Sequence, residues 1–61
     1  MVLTISELLR VIKDNEKWIP IESGHNIKYI ERIGEEIRIE AIDRKFPMIV
    51  RDDVKFRKVE E

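Results

Sequence analysis

The sequence predicts an α+β fold, an N-terminal amphipathic helix followed by a four- or five-stranded antiparallel β-meander. Three observations carry this reading. All three leucines, Leu3, Leu8 and Leu9, lie at the N-terminus. Elsewhere β-branched side chains dominate the apolar set, with 11 Ile and five Val in the whole chain. Such side chains are stiff at χ1 and fit the pleated surface of a sheet. Finally, the apolar runs after the first helix are short and separated by turn residues.

The helix is marked at its start. Thr4-Ile5-Ser6-Glu7 has the capping-box pattern, with Thr4 as N-cap and Glu7 reaching back to it. Leu3 before the cap and Leu8 within the helix have the spacing of a hydrophobic staple. Ile5, Leu8, Leu9 and Ile12 then follow the i, i+3, i+4, i+7 rule. Asn15 tolerates the left-handed conformation, so the helix is expected to end near residues 14–16.

Strands are expected at 18–23, 27–32, 36–42, 46–50 and 54–59. The first joins the second through a Ser23-Gly24-His25-Asn26 turn. Gly34 supplies the left-handed residue of a three-residue hairpin loop, 32–34. That register sets Tyr29 opposite Ile37 and Ile27 opposite Ile39, and places Ile27, Tyr29, Ile37, Ile39 and Ala41 on the inward face. Pro47 makes the fourth strand an edge. Ile19 and Ile21 are expected inward, as are Val54 and Phe56, while Trp18 packs the helix end on the sheet. Period-2 patterning fits an open sheet and a small SH3-like barrel equally. A helix followed by five short strands is similar in element order to Sm-like and other SH3-like barrels, although the glycine, aspartate and asparagine pattern of an RNA-binding Sm site is absent. That similarity bears on fold alone.

Size and composition exclude a good deal. Sixty-one residues make one domain, 1–61, with a core that is marginal alone. The absence of Cys removes disulfides and Cys-based zinc sites. No apolar run approaches the length of a membrane-spanning helix, and no signal-like segment opens the chain, so a cytoplasmic protein without membrane contact is expected. The charged content of 41% and the rich Ile, Glu, Lys and Arg usage resemble thermophile composition.

No catalytic set emerges. Ser23 and His25 share a turn, but a chain this short leaves little room for a pocket of about 300 Å³ or more. The carboxylates Glu35-Glu36, Glu40, Asp43 and Asp52-Asp53 fall at turns, and adjacent strand residues point to opposite faces. Two glycines cannot build a phosphate-cradling loop. No enzyme activity, cofactor, metal or small-molecule substrate is therefore expected.

Charge is asymmetric. Residues 1–23 and 24–43 are net −1 and −2, whereas residues 44–59 are net +4. Arg44, Lys45, Arg51, Lys55, Arg57 and Lys58 would make the last hairpin, residues 44–58, basic. Such a stripe suits a DNA or RNA backbone, with Phe46 or Tyr29 available for stacking. Against this stand a net charge of −1 and a pI near 5.8. The plainer reading is an edge strand guarded by Lys and Arg. Four apolar residues fall off the inward face: Ile30, Ile33, Ile42 and Val59. They suggest a surface for a protein partner or a second copy of the chain. The expected function is a small non-enzymatic binding module. It contacts nucleic acid through the basic hairpin or, alternatively, serves protein interaction or homodimerisation with no nucleic-acid contact.

Overall fold

The computed structural model describes residues 1–22 and 25–60. The elements in chain order are β1 (Val2–Thr4), α1 (Ile5–Val11), β2 (Lys17–Pro20), β3 (Ile27–Ile33), β4 (Glu36–Ala41) and β5 (Lys55–Lys58). The strands form one sheet in the order β1-β5-β2-β3-β4, and every pairing is antiparallel. The sheet is open, with β1 and β4 at its edges. The fold is α+β, as the sequence predicts.

The meander holds only for β2-β3-β4. β5 inserts between β1 and β2 and pairs with both. β1 and β2 therefore run parallel to one another, and α1 crosses between them as in a split β-α-β unit. β1 was not anticipated. Three residues are too few to show a period, and the strand is defined by a partner at the far end of the chain, with Leu3 opposite Phe56. The expected strand at 46–50 does not form. Pro47 has no N–H to give a ladder, and this stretch belongs to an irregular connection from β4 back to β5.

The helix starts as its sequence specifies. Thr4 is extended (φ −73°, ψ 168°), its hydroxyl accepts from the Glu7 N–H at 3.3 Å, and the Glu7 carboxylate accepts from the Thr4 N–H at 3.0 Å. The Thr4 N–H and, at 3.1 Å, the Thr4 hydroxyl both donate to Glu7 Oε1 and hold the Glu7 carboxyl below its ordinary pKa. The helix stops at Val11, earlier than expected, because Ile12 is already extended at ψ 129°. Asn15 is left-handed (φ 65°), within the following turn. Leu8 and Ile12 are buried and Ile5 is half-buried, but Leu9 is exposed.

The β3–β4 hairpin departs from the expected register. Gly34 is left-handed (φ 61°), yet the loop is the two residues Gly34 and Glu35, with Ile33 opposite Glu36. Further along, Ile27 pairs with Ala41 and Tyr29 with Glu40, so β3 carries one extra residue, Lys28, as a bulge. The bulge resets the alternation. Ile27 and Ile30 both face the core, whereas Tyr29 turns to the outer face under the Lys17 ammonium, 4.4 Å from its ring centroid.

The core is Leu8, Ile12, Trp18, Ile27, Ile30, Val54 and Phe56, with Leu3, Ile5 and Val50 packed against it. Full burial of one such side chain contributes roughly 1.5–3 kcal/mol. Val54 and Phe56 are inward as expected. On β2 the parity is reversed: Trp18 is buried, Ile19 only half-buried and Ile21 exposed. The register explains it, since Trp18 lies opposite Ile30 and shares its face. No helix among the described residues is long and apolar enough to cross a membrane.

Candidate functional site

The six basic residues do not assemble into a hairpin. Lys55, Arg57 and Lys58 lie on β5, which is flanked on both sides and so is no guarded edge. Arg44 and Lys45 follow β4, at the opposite side of the sheet, and Arg51 lies in the irregular connection. Two of the six basic side chains, Arg44 and Lys58, are held in ion pairs, and Lys45 is bonded through its main chain only. Arg44 pairs with Glu40, which holds the Glu40 carboxyl below its ordinary value and raises the guanidinium. The Lys45 N–H donates to Asp43 Oδ1 at 2.9 Å, an Asx-type turn. Lys58 pairs with Glu16 at 3.1 Å.

Glu16 gathers several donors. Its Oε1 accepts from the Lys13 N–H at 2.8 Å and from the Trp18 indole N–H at 3.4 Å, and its Oε2 faces Lys58. The Lys13 amide is the main cause of its lowered pKa, followed by the bonds from Lys58 and Trp18.

Lys55 and Arg57 share the outer face of the sheet, opposite to buried Phe56. Arg57 lies beside Val2 on one neighbouring strand and Ile19 on the other. Neither Lys55 nor Arg57 is in an ion pair among the described residues. Asp52 instead accepts from the Ser6 hydroxyl at 3.0 Å, tying the connection to the helix start.

The four expected interaction residues have different fates. Ile30 is 0% exposed and belongs to the core, so its place on an open face is corrected; the bulge turned it inward. Ile33 is exposed beside the hairpin turn, Ile42 is 67% exposed just past β4, and Val59 is half-buried, its N–H bonded to the Lys17 carbonyl. Ile37 and Ile39, expected inside, are 41% and 38% exposed. They project to the same side as Ile30, since Ile39 lies opposite it. The helix packs on β1 and β5 and does not reach them. Beyond β4, Phe46, Met48 and Ile49 are also exposed. Sequence reading missed Ile37, Ile39, Met48 and Ile49 as surface candidates, and named Phe46 only for stacking on nucleic acid. The one available signal was their density along residues 37–49.

An open groove of about 690 Å³ lies beside the helix end, lined by Leu3, Val11, Trp18 and Lys58 among others. This is more concavity than so short a chain was expected to hold. His25 is half-buried, and the Ser23 that the sequence pairs with it lies outside the described residues. Among the described residues no three His, Asp or Glu side chains converge as metal ligands. Comparison with protein-family models, with curated proteins and with solved structures finds no match for this chain.

Proposed function

We propose that this chain is a small non-enzymatic protein-interaction module whose working surface is the β4 edge. One observation carries the reading. β4 is an edge strand, open on one side, with exposed isoleucines on its core side and with neither proline nor a bulge of its own. Its charges Glu36, Arg38 and Glu40 alternate in sign rather than repelling a partner of one sign. Edge strands of this kind are templates for an added strand. Past the end of the same strand, Ile42, Phe46, Met48 and Ile49 are exposed as well.

The test is a titration of isotope-labelled protein with extended peptides of alternating apolar and charged residues, read at each backbone amide. Shifts concentrated on Ile37, Ile39 and Ala41 are expected. The reading fails if no peptide moves them and their exchange with solvent is also unaffected by protein concentration.

A second reading keeps nucleic acid as the partner. It is favoured by Lys55 and Arg57, adjacent on the outer face without ion-pair partners among the described residues. Oligonucleotide anisotropy should then weaken tenfold or more between about 50 and 200 mM salt, and Arg57→Ala should weaken it further. Absence of binding at the lower salt removes this reading and leaves the first untouched.

A further inference from the structure

We infer that the partner at β4 is a second copy of this chain, paired antiparallel about a two-fold axis that passes between the Ile39 residues of the two copies. The inference rests on the proposed role of the β4 edge and names its occupant.

Main-chain direction is the first support. The Ile42 N–H donates to the Asn26 carbonyl at 2.9 Å, toward β3. Peptide groups alternate along a strand, and the extra residue of the bulge is on β3, so β4 alternates without interruption. Glu36, Arg38 and Glu40 therefore bond toward β3. Ile37, Ile39 and Ala41 aim their N–H and C=O groups at the open edge.

Charge selects the register. With Ile39 opposite itself, Arg38 faces Glu40 of the partner subunit and Glu40 faces Arg38 of the partner subunit. Ile37 then lies against the partner's Ala41. The outward-bonding residues fall into hydrogen-bonded pairs, and opposite charges meet on the outer face. A slip of two residues, the smallest that keeps the faces and the bonding matched, sets Arg38 against Arg38 and Glu36 against Glu40, which repel. A slip of four toward the turn restores an Arg38–Glu36 pairing but lays Ile39 and Glu40 against the Gly34–Glu35 loop, where the ladder ends. The alternation Ile37-Arg38-Ile39-Glu40-Ala41 is thus complementary to itself in one full-length register. Such a contact is isologous and closes on two copies. The Arg44–Glu40 pair is compatible with it, because Arg44 binds one carboxylate oxygen and leaves the other for Arg38 of the partner subunit.

Burial gives the contact its driving force. Ile37 and Ile39 lie on the core side, beyond the reach of the helix. Pairing sets the isoleucines of two copies side by side and extends a core that is marginal in one short chain.

The test is sedimentation equilibrium of the full chain from about 10 μM to 1 mM, the range over which moderate self-association is read. A monomer–dimer equilibrium is expected, weakened about tenfold or more by Arg38→Glu and recovered in the Arg38→Glu, Glu40→Arg double variant. Circular dichroism checks that each variant is folded. If Arg38→Glu unfolds, amide exchange of the unaltered chain decides: Ile37, Ile39 and Ala41 are protected at high concentration and exchange at low concentration. A monomer throughout, a dimer that ignores the charge reversal, or exchange independent of concentration overturns the proposal. A monomer that still binds strand peptides at β4 overturns only the second copy and leaves the interaction role standing.

Discussion

Glu16 Oε2 lies 3.1 Å from Lys58 Nζ, joining the residue before β2 to the last residue of β5. The same carboxylate caps the Lys13 N–H and receives the Trp18 indole. One side chain thus ties the turn after the helix, the start of β2 and the end of β5. Glu16→Gln is expected to lower stability by about 1 kcal/mol at neutral pH, since the carboxylate's bonds are charge-assisted. Urea unfolding with circular dichroism measures it.

The pH dependence has a definite sign. Glu7, Glu16 and Glu40 all have carboxyl pKa values lowered by folding, through Thr4, Lys13 and Arg44 respectively. Their contribution is fully present above the ordinary value of 4.5 and is lost as pH falls through the lowered folded values. Stability should be flat from neutral pH to near 5 and decline below, as far as these groups decide it. Glu16→Gln should make that decline shallower. An unfolding series between about pH 7 and pH 3 tests both statements.

Ile30 and Ile42 are both isoleucines beside the same hairpin, yet one is fully buried and the other 67% exposed. Ile30→Ala should cost about 2–5 kcal/mol through lost burial and the cavity it leaves. Ile42→Ala should stay within about 0.5 kcal/mol in the monomer. Denaturant midpoints measured at low protein concentration separate them, and comparable losses would contradict the bulged register.

Gly34 stands at a positive φ of 61°, and a Cβ built there meets nothing within 4 Å. Gly34→Ala should therefore cost about 1 kcal/mol from backbone strain alone. Gly34→Asn should cost less, because Asn tolerates this conformation. If both variants cost several kcal/mol, a steric role for this position has been overlooked.

Thr4→Ala removes the acceptor for the Glu7 N–H and should cost about 1 kcal/mol. Thr4→Ser should retain most of the stability, because its hydroxyl makes the same bond. Thermal unfolding of the two variants gives the comparison.

The sequence by itself determined the elements whose causes are local. The Thr4–Glu7 cap, the left-handed Asn15 and Gly34, the paired strands around Gly34, and inward Val54 and Phe56 each follow from a few neighbouring residues and the conformations they allow. Only the tertiary structure decided what depends on distant partners. β1 exists because Leu3 meets Phe56, and β5 lies in the middle of the sheet because it pairs with both β1 and β2. Trp18 is inside because its register sets it opposite Ile30. The bulge at Lys28 moved Ile30 into the core, while Ile37 and Ile39 stayed on the core side but beyond the helix. A period-2 pattern reads which residues share a face only while the alternation is unbroken. One extra residue exchanges the faces, and no local signal marks where it sits. The basic hairpin expected at residues 44–58 did not form for a related reason. Side chains adjacent in the chain between residues 44 and 58 are parted by the order of the strands, which is a property of the whole sheet.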